Sequence, residues 1–315
     1  MFLAKKQNII NDIGCSITRS CYDAINHDSN RNPSEPAIIA RMTMHLAYDI
    51  CNSLSVYASN YEVSVKTVFC HQRPIVEFNG KRCELGDILF VFDEKRGTIT
   101  EGNTLLLQAK KTEGNTCTPD NATQQELYST FPKFSYYRPA LKDKNGVTIS
   151  RDIMPKAPTH GARYLLLEKP YDSSILCVCA DATPVGYEVS EQQKLAENLV
   201  GLLDFTAGRK YEPCNTQSNN DWSNMIHDLL ETEKMKDGNS FAEGVILCRE
   251  YGAMMNIARN GIKNIHRIRE ATFINNPIKT FSGNATGDGT NDEEISFVIF
   301  HITASDTSYR EINNW

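Results

Sequence analysis

The sequence of 315 residues lacks long apolar runs, and no segment approaches the ~20 apolar residues that a membrane helix needs. Its ten cysteines include no Cys-x-x-Cys pair, which argues against a zinc ribbon or an iron–sulfur knot. The sequence also lacks the Gly-x-x-x-x-Gly-Lys-Ser/Thr loop of ATPases and the Gly-x-Ser-x-Gly and His-Glu-x-x-His motifs of common hydrolases. Because the first residues lack the apolar region of a signal peptide, we expect a cytoplasmic protein without a membrane partner.

Positive charge is scarce as well. Lys and Arg number 33 against 39 Asp and Glu, which gives a net charge of -6. Such a balance argues against a chain that coats nucleic acid by bulk charge, but it leaves room for a local basic groove. Hydrophobic residues make up 40% of the chain, which is enough for a sizeable core and excludes a wholly disordered protein.

The first 180 residues alternate between helical and strand patterns. Ser34 and Pro36 suit the start of a helix, and Asn79-Gly80 is a strong signal for a hairpin between the strands on either side of it. We predict a helix, three strands, a helix and two strands, at 34–50, 74–78, 84–92, 104–110, 122–130, 162–168 and 175–180. This order favours an α/β sandwich with a mixed sheet.

The remainder of the chain predicts a helix-rich C-terminal region. Ser190 to Gln193 has the sequence of a capping box, and helical patterns follow around 222–234 and 241–257. An apolar strand is expected at 295–300. We therefore expect two regions, 1–185 and 186–315, and leave open whether the second completes the core of the first.

Two cysteines fall in one apolar strand. Cys177 and Cys179 alternate with Val178, so their side chains share a face of that strand. We interpret them as small core residues in a reducing compartment.

The most informative polar pattern lies at the ends of two neighbouring apolar strands. Asp87 begins one of them, and Gln108 and Lys110 lie near the end of the next. Because residues two apart project from the same face of a strand, Gln108 and Lys110 point to one side. Burying charge is costly unless it is paired, so the pattern indicates function. The alternative is structural: Asp87 caps a turn, and Lys110 with Lys111 protects a sheet edge.

This arrangement resembles the PD-(D/E)xK nuclease superfamily, whose members carry an Asp on the second core strand and Glu-x-Lys on the third. Asp87 matches the Asp, and Gln108 with Lys110 match a Gln-x-Lys variant. The resemblance implies a restriction-endonuclease-like sandwich, with a mixed central sheet flanked by helices. It also implies a Mg²⁺ (or Mn²⁺) site held by Asp87 and Gln108, with Lys110 positioning the attacking water.

The sequence departs from the superfamily at the metal site. Gln108 replaces an acid, so the site loses a negative charge, although an amide oxygen still ligates a hard cation. Glu84 is a further candidate catalytic carboxylate, but strand parity places it opposite Asp87 unless a bulge intervenes. The superfamily often adds an acid from the first helix. Here we considered Asp49, which lies one turn from His45 and suits a solvated face better.

A second motif follows on the predicted helix 122–130. Gln124 and Tyr128 lie four residues apart and so share a helix face. RecB-type members of the superfamily have a Gln-x-x-x-Tyr motif here, where it lines the nucleic-acid path, and Lys111-Thr112 is similar to the family's Lys-Thr ending. The resemblance and the basic charge nearby imply five nucleic-acid-binding residues, which are Gln124, Tyr128, Lys111, Lys133 and Arg138.

The segment 129–163 supports this expectation through its charge. It carries seven basic and two acidic side chains, interleaved with Phe131, Phe134, Tyr136 and Tyr137. Basic groups bind phosphates, and aromatic rings stack on unpaired bases. The alternative is a solvated connection whose aromatic rings belong to the core.

The resemblance implies a metal-dependent nuclease that hydrolyses phosphodiester bonds, with DNA favoured over RNA. It also suggests a role in prokaryotic anti-phage defence, with a protein partner or a homo-oligomer controlling the activity. Two alternatives remain open. One is a catalytically inactive, nuclease-like subunit that binds nucleic acid, and the other is a protein-interaction subunit.

Overall fold

The computed structural model describes residues 5–27, 31–58, 61–70, 74–114, 116–138, 140–156, 161–168, 177–190, 192–234, 257–258 and 297–306. Five helices and fifteen strands lie in these ranges. Along the chain they are α1 (Lys6–His27), α2 (Glu35–Tyr57), β1 (Tyr61–Cys70), β2 (Ile75–Phe78), β3 (Lys81–Glu84), β4 (Ile88–Arg96), β5 (Ile99–Thr112), β6 (Thr116–Cys117), α3 (Ala122–Thr130), β7 (Phe134–Arg138), β8 (Ser150–Arg151), β9 (Ala162–Glu168), β10 (Cys177–Ala180), β11 (Val189–Ser190), β12 (Gln193–Lys194), α4 (Leu195–Leu203), β13 (Arg209–Tyr211), α5 (Asp221–Lys234), β14 (Ile257–Ala258) and β15 (Phe297–Asp306).

A main sheet of nine described strands forms the centre of the fold. Its order is β12-β10-β9-β5-β4-β15-β1-β14, and β13 pairs with the first half of β5. The β4–β5 pair is antiparallel, whereas β5 pairs with β9, and β4 with β15, in parallel. The expectation of an α/β fold with a mixed central sheet and flanking helices is therefore confirmed.

Both faces of the main sheet are covered, which explains why its strands are apolar on both sides. Phe90 and Phe92 of β4 face a core formed with α1, α2 and α4. Leu89 and Val91 face the opposite core, which includes residues of α3, α5 and a small sheet of order β3-β2-β7-β8. The expectation that Cys177 and Cys179 share a buried face is confirmed, since both belong to the first core. No described helix is long and apolar enough to cross a membrane.

The predicted hairpin differs from the structure in its second strand. Asn79 and Gly80 form the turn with positive φ angles of 49° and 70°. The turn joins β2 to β3, and β3 ends at Glu84. The chain then leaves the small sheet and starts β4 in the main sheet, so the single strand expected over 84–92 is wrong.

The C-terminal region contributes directly to the main sheet. β15 lies between β1 and β4, antiparallel to the first and parallel to the second. Residues beyond the boundary expected near 185 therefore take part in the main sheet, which is the possibility that the sequence left open. The helix predicted around 222–234 is present as α5, whereas most of the one predicted over 241–257 falls outside the described residues.

Candidate functional site

A cleft of about 420 Å³ opens where β4 begins and β5 ends. The main sheet, the small sheet and the first residues of α2 and α3 all contribute to its wall. The lining residues are Glu35, Ile75, Arg82, Cys83, Glu84, Asp87, Gln108, Lys110, Asp120, Asn121, Gln124 and Tyr137. The structure thus brings together Asp87, Gln108, Lys110, Glu84 and Gln124 of the residues expected from the sequence.

Asp87 is the most buried acid of the cleft, with 4% of its surface exposed. Its backbone N–H donates to the Leu107 carbonyl at 2.9 Å, and its carbonyl accepts from the Val298 N–H at 2.9 Å. The side-chain Oδ2 accepts from the Ala109 N–H at 2.7 Å and from the Gln108 amide. β5 and β15 therefore hold the backbone of Asp87, whereas both side-chain bonds come from β5 and fall on one carboxyl oxygen.

The turn before Asp87 is held from the opposite core. The Tyr128 hydroxyl donates to the Leu85 carbonyl at 2.8 Å. A Cβ on Gly86 would lie 2.7 Å from Leu106 Cδ1 and 3.0 Å from the Tyr128 hydroxyl, so this position favours glycine. Tyr128 is 1% exposed and packs against other rings, so the expectation that it faces nucleic acid is wrong. Its hydroxyl positions the turn instead.

The environment of Asp87 favours a neutral carboxyl group. Burial is the main cause, and together with the negative charge of Glu84 it raises the pKa of Asp87 to about 7. The negative charge of Glu35 acts in the same direction. The hydrogen bond from the Ala109 N–H and the charge of Lys110 oppose the rise but do not cancel it. A cation at this carboxylate would relieve the cost of ionising it.

Lys110 points into the cleft and forms an ion pair with the exposed Asp120, with Nζ and Oδ1 3.0 Å apart. Burial acts to lower the pKa of Lys110. The hydrogen bond to Asp120 and the charges of Glu35 and Asp87 outweigh that effect and raise it. Lys110 is therefore a charged ammonium group that acts as a hydrogen-bond donor.

Two further carboxylates lie in the cleft. Glu84 lines the cleft together with Asp87. The chain passes from the small sheet to the main sheet between these two residues, so the alternation of side chains along a single strand does not apply to them. Glu35 is a residue that the sequence interpretation missed. It lies in the first turn of α2 and accepts the Lys111 N–H at 2.8 Å. Asp49, considered instead, forms an ion pair with Arg19 and does not line the cleft.

Two amide oxygens of the cleft are buried without a hydrogen bond. They are Oε1 of Gln108 and Oε1 of Gln124, which belong to residues that are each 2% exposed. A buried polar atom without a partner is costly and calls for an explanation, such as an ion or ligand. Asp87 and Gln108 together offer oxygens that suit Mg²⁺, which often uses one or two carboxylates with waters and substrate phosphates. No three His, Cys, Asp or Glu side chains in the described part of the chain form a metal-binding group by themselves.

The remaining residues expected to bind nucleic acid lie outside the cleft. Lys111 donates to the Asn32 side chain at 2.8 Å and the Pro33 carbonyl at 2.9 Å, so it secures the segment before α2. Lys133 and Arg138 are exposed. Three of the four interleaved aromatic residues belong to the core, as the structural alternative expects, and these are Phe131, Phe134 and Tyr136.

Tyr137 differs from its three aromatic neighbours because it is exposed and lines the cleft. The Arg82 guanidinium lies over its ring, with Cζ 3.5 Å from the ring centroid. The sequence interpretation did not consider Arg82, because the strand that carries it was not predicted.

No family model, curated protein or solved structure matches the chain. The residues of the cleft are therefore the basis for assigning a function.

Proposed function

We propose that the protein is a metal-dependent nuclease that uses Mg²⁺ or Mn²⁺ in the cleft described above. One observation carries the proposal. Asp87 and Gln108 meet on adjacent buried strands beside Lys110, and the Gln108 Oε1 atom has no hydrogen-bond partner. An acid, a neutral oxygen ligand and an ammonium group in one cleft suit the hydrolysis of a phosphodiester bond.

The order of the elements supports a restriction-endonuclease-like fold. Asp87 precedes the first strand of the antiparallel β4–β5 pair, and Gln108 and Lys110 lie near the end of the second. The connection from β5 to the parallel strand β9 then includes α3. This agrees with the arrangement that the resemblance to the PD-(D/E)xK superfamily implies, with an acid on one core strand and Gln-x-Lys on the next.

The cleft residues have different roles in the proposed reaction. Asp87 and Gln108 would hold the ion, with Glu84 or Glu35 nearby to take part through bound water. The ion would supply positive charge for the phosphate oxygens and acidify a bound water. Lys110 donates a hydrogen bond and would orient the attacking water when it exchanges Asp120 for that water.

The charge of the cleft also favours a bound cation. Its lining contains four acidic and two basic side chains. Such a wall repels a phosphate diester until a divalent ion offsets the excess of negative charge. Exposed Lys133 and Arg138 lie on the segment that follows α3 and supply positive charge for the rest of the strand.

By the same resemblance, we propose that the substrate is DNA in preference to RNA, and that the enzyme acts in the cytoplasm in prokaryotic anti-phage defence. A protein partner or self-association would control it. A second candidate function is a nuclease-like subunit that binds nucleic acid without cleaving it. Gln108 favours that alternative, because an amide replaces the acid that most of the superfamily uses.

The test is cleavage of supercoiled, linear and single-stranded DNA, and of RNA, with Mg²⁺ or Mn²⁺. We expect cleavage that needs the ion and that Asp87→Ala and Lys110→Ala each abolish, while Lys95→Ala, at an exposed site near the other end of β4, has no effect. Cleavage that survives both cleft variants would contradict the proposal. Binding without cleavage by the wild type, with cleavage gained in Gln108→Glu, would favour the second candidate.

A further inference from the structure

The rim of the cleft carries an exposed aromatic ring backed by a cation. Tyr137 is 45% exposed, and the side chain of Arg82 is 51% exposed. Arg82 Nε donates to Glu77 Oε2 at 2.5 Å, which holds the guanidinium plane over the Tyr137 ring. Both residues line the same cleft as Asp87 and Lys110.

The backbone explains why this ring faces outward. In β7 the buried residues Phe134 and Tyr136 alternate with Ser135, as expected for a strand with one face on the core. Between Ile75 and Val76 of β2 the register with β7 shifts, so Tyr136 pairs with Val76 but Arg138 with Ile75. The alternation already turns Tyr137 to the outer face with Ser135, and the bulge, in which Tyr137 is the extra residue, leaves Arg138 exposed as well.

We propose that Tyr137 and Arg82 form a platform on which an unpaired base stacks beside the reacting phosphate. The substrate class of the cleft is then single-stranded nucleic acid, or a strand end whose bases are unpaired. This inference rests on the proposed nuclease function and adds the form of the substrate to it.

Physical chemistry favours an unpaired base over a duplex at this platform. Inside a duplex, both faces of each base are covered by its neighbours, whereas an unpaired base offers a free face to an aromatic ring or a guanidinium plane. Stacking of this kind tolerates any base, and the Arg adds a cation–π contribution. The exposed Arg138 follows Tyr137 and is placed to contact the adjoining phosphate.

The test measures binding with Ca²⁺ in place of Mg²⁺, which offsets the negative charge of the cleft and is expected not to support cleavage. The readout is the fluorescence anisotropy of labelled single-stranded DNA, single-stranded RNA and a blunt DNA hairpin. We expect Tyr137→Ala to weaken binding of the single strands about tenfold and binding of the hairpin less than twofold. Tyr137→Trp should keep wild-type binding, because its ring still stacks. Tyr22→Ala serves as the control, since this exposed tyrosine lies on α1 in the opposite layer.

A direct readout of stacking completes the test. A single strand that contains 2-aminopurine should lose fluorescence on binding to the wild type and to Tyr137→Trp, but not to Tyr137→Ala. Equal affinity of wild type and Tyr137→Ala for the single strands would overturn the platform, even with cleavage that depends on Lys110. Wild-type protein that neither binds nor cleaves nucleic acid would overturn the proposed function, and the platform with it.

Discussion

Two adjacent glutamines show how the same side chain takes opposite roles. Gln125 Nε2 donates to the Thr183 hydroxyl and to the carbonyls of Pro184 and Tyr187, and its Oε1 accepts the Gly186 N–H. It therefore fastens the loop after β10 to α3. The side-chain oxygen of Gln124 lacks a hydrogen bond and lies at the cleft. An amide that is buried and only partly bonded suits a ligand-binding role, whereas a fully bonded one suits stability.

The first prediction contrasts these two residues. Gln125→Ala should lower the free energy of unfolding by about 2 kcal/mol, because the Gly186 N–H and the loop carbonyls lose their partner. Gln124→Leu should change stability by less than about 1 kcal/mol, because it removes a polar group whose oxygen is unbonded. The cleavage rate should fall at least tenfold in Gln124→Leu. Urea unfolding measures the changes in stability, and initial rates measure the changes in cleavage. A loss of stability in Gln124→Leu without a loss of cleavage, with the opposite result in Gln125→Ala, would refute the roles assigned to the two glutamines.

The second prediction concerns pH in metal-free protein. The pKa of Asp87 is about 7 in the folded chain, well above the 3.8 of an unperturbed aspartate. Folding therefore binds a proton between these values, so Asp87 reduces stability as the pH rises through this window. Asp87→Asn removes this titrating group. At pH 8 the variant should be more stable than wild type by up to about 4 kcal/mol, whereas below pH 4 the two proteins should have nearly equal stability.

Thermal unfolding in EDTA at the two pH values measures this difference. Added Mg²⁺ should reduce the difference in stability between Asp87→Asn and wild type at pH 8, because the ion binds only the carboxylate of the folded wild type. A difference that is the same at both pH values would show that Asp87 does not titrate between them.

At the scale of elements, the junction between β3 and β4 sets the geometry of the cleft. Leu85 and Gly86 carry the chain from the small sheet to the main sheet, and Tyr128 of α3 holds this step through the Leu85 carbonyl. Tyr128 thus helps to determine where Asp87 lies without lining the cleft itself.

The third prediction tests this junction. Gly86→Ala places a methyl group against Leu106 and the Tyr128 hydroxyl, and should cost about 1–3 kcal/mol of stability. Tyr128→Phe leaves the Leu85 carbonyl without its donor and should cost about 1–3 kcal/mol. Both should lower the cleavage rate and weaken Mn²⁺ binding measured by calorimetry. Unchanged Mn²⁺ affinity in Tyr128→Phe would show that the hydroxyl does not position Asp87.

The elements also show what the sequence could and could not predict. Helix α3 occurs over the predicted residues, because its polar and apolar pattern is local and Asn121 caps it. The predicted capping box at Ser190 fails, because Ser190 pairs in β11 and Gln193 in β12, so α4 begins at Leu195. Pairing with a distant strand overrides a local signal, and a sequence alone does not reveal it.

The candidate site shows the same limit. Asp87, Gln108 and Lys110 could be selected because polar residues at the ends of apolar strands stand out. Glu35 could not, since it reaches the cleft through the packing of α2 against the sheet. The neighbouring Pro36 indicates only that a helix begins there.

At the scale of the whole molecule, β15 is the most consequential element. It pairs with β1 along Tyr61–Cys70 and with β4 from Ile88 to Lys95, so it occupies the middle of the main sheet. Side chains from it complete both cores, among them Phe300 on one face and Ile299 on the other.

The fourth prediction follows from this position. A chain that ends at residue 185 should not fold cooperatively, because β1 and β4 would face each other without the strand between them, and α4 and α5 would be missing. Circular dichroism and limited proteolysis of the truncated and full chains measure the outcome. A cooperative unfolding transition in the truncated chain would show that residues 1–185 form an independent unit.

The hydrogen bond from Val298 to the Asp87 carbonyl has a consequence for synthesis on the ribosome. About 200 residues separate the end of β5 from the end of β15, which corresponds to roughly 10–40 s of translation at ~5–20 residues per second. During that time the nascent chain contains Asp87, Gln108 and Lys110 but lacks β15, whose Val298 N–H holds the Asp87 carbonyl. We therefore expect the polysome-bound chain to lack the proposed nuclease activity, because the strand that holds the Asp87 backbone is added only when β15 has been made.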